Sequence, residues 1–155
     1  MRTKNEKNAL PITNIWIDAD GCPRGVVRVT FAYAAALGLT CWTISNFHHQ
    51  LEGDTHIVVD DRSQSVDMAI LNRCKAGDLV ITQDIGLAAI ALGKKCRALG
   101  IYGQEYAEKN IGVLLEIRDQ SAKFRRAGGR TKGPKKRTQS DDAAFEQGLK
   151  RVLGI

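Results

Sequence analysis

Residues 15–23 read IWIDADGCP, and this stretch determines how the fold begins. It opens with three apolar residues in a row, which is typical of a short strand buried on both faces. Two aspartates, Asp18 and Asp20, follow the apolar run directly. Pro23 then opens a segment with apolar residues at helical spacing, and Gly38 ends it. The stretch therefore predicts a strand, an acidic turn and a helix in direct succession.

The alternation of strand and helix continues along the chain. Apolar runs predict strands at residues 41–44, 57–59, 79–81 and 97–101, and helical patterns lie at 66–74, 85–92, 113–124 and 139–152. This alternation predicts an α/β fold with three layers, in which a mostly parallel central sheet is flanked by helices. Thr138 and Asp141 form a predicted capping box for the last helix. We expect a flexible lead-in over residues 1–13 and a single domain over residues 14–155, which includes a basic loop at 128–137.

Aspartates follow three of the predicted strands: Asp18 and Asp20, then Asp60 and Asp61, then Asp84. Any one of them has a structural explanation, since aspartate is a good helix N-cap. Together they indicate a shared role, because ligands bind at the carboxyl ends of the strands in an open parallel sheet. Asp67 lies beside the apolar stripe in the first turn of its helix. We expect it to point toward the same edge, and Asn46 also directly follows a strand there.

Clustered carboxylates repel each other and attract cations. Two unit charges about 5 Å apart cost roughly 3 kcal/mol at an effective dielectric near 20. Carboxylate oxygens are hard ligands that suit Mg²⁺ or Mn²⁺, and such ions activate water and stabilise charge on phosphate oxygens. The sequence therefore predicts a metal site formed by Asp18, Asp20, Asp67 and Asp84. Of these four residues, Asp18, Asp67 and Asp84 are the predicted catalytic residues.

Positive charge is concentrated in one segment. Of the 23 Lys and Arg residues, eight lie between residues 123 and 137, which contain no acid, and this leaves 15 basic against 17 acidic residues elsewhere. Such a segment attracts phosphate-rich polymers, although a solvated surface loop would have the same composition. The predicted substrate-binding residues are Asn46, Thr82, Arg130, Lys132, Lys135, Lys136 and Arg137. The expected partner is nucleic acid, with RNA favoured over DNA, and a homodimer is left open.

The composition argues against several classes of protein. No run approaches the roughly 18–20 apolar residues that span a membrane, and no signal-peptide pattern opens the sequence. The four cysteines, Cys22, Cys41, Cys74 and Cys96, form no CxxC pair. We therefore expect four reduced thiols, a cytoplasmic location and no membrane partner.

Several motifs together resemble the bacterial YaiI/YqxD family. They are IDADGCP at residues 17–23, VVD at 58–60, SVDMAI at 65–70, GDLVITQDIGLAA at 77–89, NIG at 110–112 and GP at 133–134 ahead of the Thr138 cap. The resemblance extends from Ile15 to Leu153. This family is regarded as similar to PIN domains, which are α/β nucleases that use Mg²⁺ or Mn²⁺. The resemblance therefore implies a PIN-like fold and a metal-dependent nuclease.

The PIN resemblance can be followed residue by residue. Asp18 matches the aspartate that ends the first strand, and Asp67, with Ile70 three residues on, matches the aspartate that opens a helix. Thr82 and Asp84 match the Thr-x-Asp pattern after a late strand. PIN domains usually carry a further acid on an intervening helix, and this sequence has no clear counterpart. The relatives also tend to have a small or apolar segment after GP, where this chain has KKR at 135–137.

Two other functions remain open from the sequence. A PIN-like domain that lacks one acid could bind RNA or a protein without cleaving anything. Alternatively, Asp18 and Asp20 resemble the nucleophile and the acid/base of haloacid-dehalogenase-type phosphatases. In that superfamily a Thr normally follows, where this chain has Cys22, and the late Gly-Asp pair follows a strand, whereas here Asp78 precedes one.

Overall fold

The computed structural model describes residues 10–46, 55–60, 65–133 and 135–155. Within these residues the strands are β1 (Asn14–Asp18), β2 (Thr40–Asn46), β3 (His56–Val59), β4 (Leu79–Ile81), β5 (Arg97–Leu99) and β6 (Glu105–Tyr106). The helices are α1 (Arg24–Leu37), α2 (Val66–Arg73), α3 (Ile85–Gly93), α4 (Glu108–Arg126) and α5 (Gln139–Leu153). A 3₁₀ turn over Ala19–Gly21 connects β1 to α1. The predicted succession of strand, acidic turn and helix is confirmed.

The strands form one sheet in the order β3-β2-β1-β4-β5-β6. The pairs β1–β2, β2–β3, β1–β4 and β4–β5 are parallel, and β6 pairs antiparallel with β5. From β1 the chain adds β2 and β3 on one side and then crosses to β4 on the other. The direction of winding therefore reverses between β1 and β4. This position is the switch point of the sheet, and open α/β sheets form their ligand crevices there.

Helices cover both faces of the sheet, as the three-layer prediction requires. On one face, α1 and α5 bury Val26, Phe145 and Leu149 against the sheet. On the other face, α2 and α3 bury Ile70 and Leu87. α4 packs beside α3 through half-buried Ile111 and Leu114. All four cysteines are free thiols, as predicted.

The sequence signals for helix ends are largely confirmed. Pro23 caps the start of α1, and Gly38 ends the helix in the left-handed conformation at φ 69°. At α5 the predicted capping box forms, since the Thr138 N–H donates to Asp141 Oδ2 at 2.8 Å and the Asp141 N–H donates to Thr138 Oγ1 at 3.3 Å. α3 differs from the prediction, because it continues through Gly93 and Lys95 takes the left-handed φ of 68°.

Two elements differ from the sequence prediction in extent. β6 has only two residues and no apolar run, so its sequence carried no strand signal. α4 begins earlier than residue 113, because the Asn110 side chain accepts the Ala107 N–H at 3.0 Å and closes the first turn. Of the predicted flexible lead-in, residues 1–9 lie outside the described part of the chain. Residues 10–13 contact the body of the protein, where Thr13 O accepts the Thr40 N–H at 3.2 Å.

α5 makes its closest backbone contact at Gly148. A Cβ at this position would lie 2.2 Å from Gly103 O and 2.4 Å from Gly103 Cα. Gly103 itself lies in a turn at φ 82°. The absence of a side chain at both positions therefore allows the turn to pack directly on the helix.

Candidate acidic site at the switch point of the sheet

Asp18 and Asp84 lie on either side of the winding reversal and are joined through Thr82. Asp18 ends β1, and Thr82 directly follows β4. The Thr82 hydroxyl donates to Asp18 Oδ2 at 2.9 Å and accepts the Asp84 N–H at 2.9 Å. Thr82 is fully buried, and both hydrogen bonds are partly buried. One threonine therefore fixes the position of the first acid relative to the backbone of the second.

Asp84 is also the N-cap of α3. Its Oδ1 accepts the Gly86 N–H at 2.9 Å and the Leu87 N–H at 3.2 Å. Its other oxygen, Oδ2, accepts no hydrogen bond from the described residues. The side chain thus has a structural role through one oxygen and leaves the second available to a ligand.

Asp20 lies in the 3₁₀ turn between β1 and α1. Its Oδ2 accepts the Asn46 N–H at 3.0 Å, which ties the turn to the end of β2. On the other side, the Gln83 side chain donates to Gly21 O. The turn is therefore held between the ends of β2 and β4, with Asp20 directed toward β2.

Three acids act electrostatically on Asp18 at this edge. Burial raises the pKa of Asp18 above its ordinary value, the Thr82 hydrogen bond lowers it, and the charges of Asp20, Asp84 and Asp67 raise it further. Asp67, in the first turn of α2, is thus close enough to Asp18 to disfavour its ionisation. We call Asp18, Asp20, Asp67 and Asp84 the acidic edge. Asp60, at the end of the edge strand β3, is not among the charges that act on Asp18, and Asp61 lies outside the described residues.

The acidic edge fits a hard divalent cation in its chemistry. Every donor is a carboxylate, and their repulsion is what a bound cation would offset. In the described residues, no three acidic, histidine or cysteine side chains converge closely enough to hold a metal by themselves. Mg²⁺ commonly binds through one or two carboxylates, with water and substrate phosphate as its remaining ligands. Asp18 and Asp84 are the two residues best placed for such a site, because Thr82 links the Asp18 carboxylate to the backbone of Asp84 and the start of α3 positions the Asp84 carboxylate.

Two predicted substrate contacts are occupied by structural interactions. Thr82 cannot reach a substrate, because it is fully buried and its hydroxyl is used in both directions. Arg137 binds Asp142 Oδ1 through Nε at 2.7 Å and donates to Ile101 O at 2.8 Å through Nη2. Its guanidinium also stacks over the Tyr102 ring, and its side chain is only 17% exposed. Arg137 therefore anchors the end of the loop to the body of the protein.

The other predicted basic contacts are open to solvent. Arg130, Lys132, Lys135 and Lys136 are all exposed, and Pro134 between them lies outside the described residues. The basic loop, residues 128–137, thus presents four cations and uses Arg137 as its anchor. Asn46 is half-buried beside Asp20, and its side chain remains a predicted substrate contact.

Sequence reasoning missed Arg118, a cation beside the acidic edge. It lies on α4 and reaches the start of α3. If Gly86 carried a Cβ, that atom would lie 2.9 Å from Arg118 Nη1. Asp84 Oδ1 would be 3.2 Å from the same point. The sequence holds one indirect signal. Arg118 follows Ile111 and Leu114 at helical spacing, which places it on the side of α4 that faces the body.

The structure separates the residues that the phosphatase alternative would need together. Asp78 lies at the opposite end of β4, where its Oδ2 accepts the Trp16 Nε1–H at 3.0 Å and the Lys75 N–H at 3.0 Å. It is almost completely buried, so it braces the amino ends of the strands. Burial and the charge of Asp18 also raise the pKa of Cys22, so its thiol stays protonated.

Comparison with known proteins adds a family relationship. The family described as "Uncharacterized BCR, YaiI/YqxD family" matches residues 16–154. A UPF0178 protein of Heliobacterium modesticaldum is 44% identical over 137 residues, which cover 88% of this chain and 94% of that protein. A UPF0178 protein of Exiguobacterium sibiricum is 45% identical over 139 residues, which cover 90% and 95% of the two chains. No solved structure matches the chain. No helix within the described residues has the length and apolar character to span a membrane.

Proposed function

The chain belongs to the YaiI/YqxD family, and from the geometry of its own acidic edge we propose that it is a divalent-metal-dependent phosphodiesterase acting on nucleic acid. The observation that carries the proposal is the link through Thr82, which holds Asp18 and Asp84 together at the switch point of a parallel sheet. If Asp84 were only a helix cap, it would not need a second acid linked to it through Thr82. The raised pKa of Asp18 adds support, since apolar burial and three like charges are what a bound cation would offset.

The residues have separate roles in this proposal. Asp18 and Asp84 would hold Mg²⁺ or Mn²⁺, with Asp67 and Asp20 adding negative charge or completing the ligand set. When bound, such an ion supplies Lewis-acid stabilisation of phosphate oxygens and lowers the pKa of water. From the buried side, Thr82 orients the Asp18 carboxylate and fixes the backbone of Asp84. The resemblance of Asp18, Asp67 and the Thr82–Asp84 pair to PIN nucleases points to the same chemistry.

The surface charge supports a polyanionic substrate. Arg130, Lys132, Lys135 and Lys136 are exposed on the basic loop, while the carboxylates lie at the sheet edge. Cations hold the phosphates of a nucleic acid through counterion release, whereas the acids need a metal before they can approach a phosphate. We propose RNA as the preferred substrate and the cytoplasm, where the four free thiols would persist, as the location.

The test compares the wild type with Asp84→Asn in Mn²⁺ calorimetry and in cleavage of labelled single-stranded RNA and DNA. Asparagine caps helices as well as aspartate does, so the variant should fold normally while losing the charge. We expect it to lose Mn²⁺ binding and cleavage, while Glu116→Gln, which removes an exposed acid of α4, keeps both. Cleavage by Asp84→Asn at the wild-type rate would remove Asp84 from the mechanism.

A non-catalytic RNA-binding module is the second candidate. It is favoured by the absence of three converging metal ligands in the described residues. Under this alternative the wild type binds RNA in EDTA and in Mn²⁺ with equal affinity and cleaves neither polymer. Mn²⁺ binding together with metal-dependent cleavage would exclude it.

A further inference from the structure

Arg118 brings a positive charge to the start of α3, next to the acidic edge. A Cβ on Gly86 would lie 2.9 Å from Arg118 Nη1 and 3.2 Å from Asp84 Oδ1. The two atoms are therefore no more than 6.1 Å apart, since 2.9 and 3.2 Å add to that value. Despite this proximity, Arg118 and Asp84 form no ion pair among the described residues. Glycine at position 86 is what leaves room for the guanidinium.

The hydrogen bonds of Arg118 leave the atom nearest the acids available. Its Nε and Nη2 donate to Oδ1 of the adjacent Asp119 at 3.4 and 3.3 Å, which are long and solvent-exposed contacts. Nη1, the atom beside Gly86, donates to no group in the described part of the chain. The side chain is 46% exposed, so a ligand at the acidic edge can reach it. Nη1 therefore lies beside the start of α3 without pairing to Asp84, and it remains available to a ligand.

We propose that Arg118 binds the phosphate group of the nucleic acid that undergoes cleavage, beside Asp84 at the start of α3. The assignment rests on the proposed function and adds a substrate-binding residue to the same site. A phosphate carries oxygens on several sides, so one can face the cation held by the acids while another accepts from Nη1. The planar guanidinium matches phosphate geometry, and it stabilises the negative charge that grows on these oxygens during the reaction.

The position of Arg118 on α4 also predicts the path of the bound nucleic acid beyond the acidic edge. Arg125 lies seven residues further on, on nearly the same side of the helix and about 10 Å along its axis. Its Nη1 donates to Thr131 Oγ1 in the basic loop at 3.3 Å. The nucleic acid would therefore run from the acidic edge along α4, past Arg118 and Arg125, and reach the exposed cations of the basic loop.

The test uses four full-length variants. Arg118→Ala removes the cation, and Arg118→Lys keeps the charge without the planar fork. Gly86→Ala keeps both charged groups but places a methyl group where the guanidinium lies; the end of the Arg118 side chain must move, and Asp84 Oδ1 at 3.2 Å must give slightly, so Mn²⁺ affinity is measured for this variant as well. Lys109→Ala is the matched control, because it removes one positive charge from an exposed position in the first turn of α4.

The first readout is binding of a non-cleavable analogue of single-stranded RNA in Mn²⁺, so that the acids hold a cation while the salt slope is measured. We expect Arg118→Ala to reduce the salt slope of log K by about 0.7, the value for one phosphate contact with a single strand. Arg118→Lys should keep the wild-type slope, and Lys109→Ala should not change it. An unchanged slope in Arg118→Ala would overturn the assignment.

The second readout is cleavage in Mn²⁺, with metal affinity measured separately by calorimetry. We expect Arg118→Ala to lower kcat by about 10²-fold or more while Mn²⁺ still binds, and Arg118→Lys and Gly86→Ala to lose part of that rate. Lys109→Ala should keep the wild-type rate. If the wild type cleaves RNA and Arg118→Ala cleaves it equally well, Arg118 is not a substrate contact and the proposed function survives. If the wild type neither binds Mn²⁺ nor cleaves, both proposals fall.

Discussion

At the scale of single residues, the charge on Asp18 is predicted to destabilise the metal-free protein. Burial raises the pKa of Asp18, and Asp20, Asp84 and Asp67 raise it further, so folding favours the protonated form. The contribution of protonated Asp18 to the free energy of unfolding is fully present below the unfolded pKa of 3.8. It is lost as the pH rises through the raised pKa of the folded protein. Asp18→Asn should therefore be more stable than the wild type at pH 7.5 in EDTA. Its amide can still accept from Thr82.

The expected gain is a few degrees in Tm, because about 1 kcal/mol shifts the Tm of a domain of this size by about 2–4 °C. The gain should shrink as the pH is lowered toward 4. Mn²⁺ should reverse the order, since a ligand at a hundredfold excess over Kd stabilises the wild type by about 2.7 kcal/mol and gives the variant nothing. A variant that is less stable than the wild type in EDTA at pH 7.5 would show that Asp18 is a structural hydrogen-bond partner rather than a strained ligand.

The sequence indicated the acids more clearly than their partners. Asp18 and Asp84 could be found because one ends an apolar strand and the other lies three residues after one, and the carboxyl ends of parallel strands meet at one edge. The sequence predicts Thr82 as a substrate contact, because local sequence does not indicate whether a hydroxyl is buried. Arg118 was missed because its neighbour in space, Gly86, lies on another helix, and no periodic pattern connects the two.

At the scale of elements, the contact between α5 and the turn at Gly103 should be sensitive to one methyl group. Gly148→Ala would place a Cβ 2.2 Å from Gly103 O, and a backbone atom cannot move away cheaply. We expect a loss of about 1–3 kcal/mol or more in the free energy of unfolding, measured with urea. Gly112→Ala in α4 is the matched control: nothing lies within 4 Å of the new methyl group, so it should stabilise the protein by about 0.5–1 kcal/mol. Equal effects of the two substitutions would contradict the close packing of α5.

Elements with strong local signals could be predicted, and those formed by tertiary contacts could not. α5 was found with its capping box because Thr138 and Asp141 interact within four residues. β6 has two residues and exists because β5 offers it a partner, so its own sequence contains no strand pattern. The start of α4 depends on one side-chain contact from Asn110, which a search for apolar periodicity overlooks.

At the scale of the whole molecule, the division between an acidic body and a basic segment was readable from composition alone. The way in which that segment attaches to the rest of the protein could not be predicted, because nothing in the sequence distinguishes Arg137 from the other cations. In the structure, Arg137 pairs with Asp142 and packs on Tyr102, while the cations before it face the solvent. One end of the basic loop is thereby fixed to Ile101 after β5 and to Asp142 in α5.

This division predicts that nucleic-acid affinity can be lowered without loss of stability or of metal binding. The double variant Lys135→Gln/Lys136→Gln removes two exposed cations and keeps the Arg137 anchor. We expect weaker binding of single-stranded RNA and a salt slope lower by up to about 1.4, or about 0.7 for each lost phosphate contact. The control Arg28→Gln/Lys109→Gln removes the same charge from exposed positions on α1 and α4 and should leave the slope unchanged. If both double variants lower affinity equally, the whole positive field of the protein attracts RNA; a change confined to Lys135 and Lys136 would locate the binding surface on the basic loop.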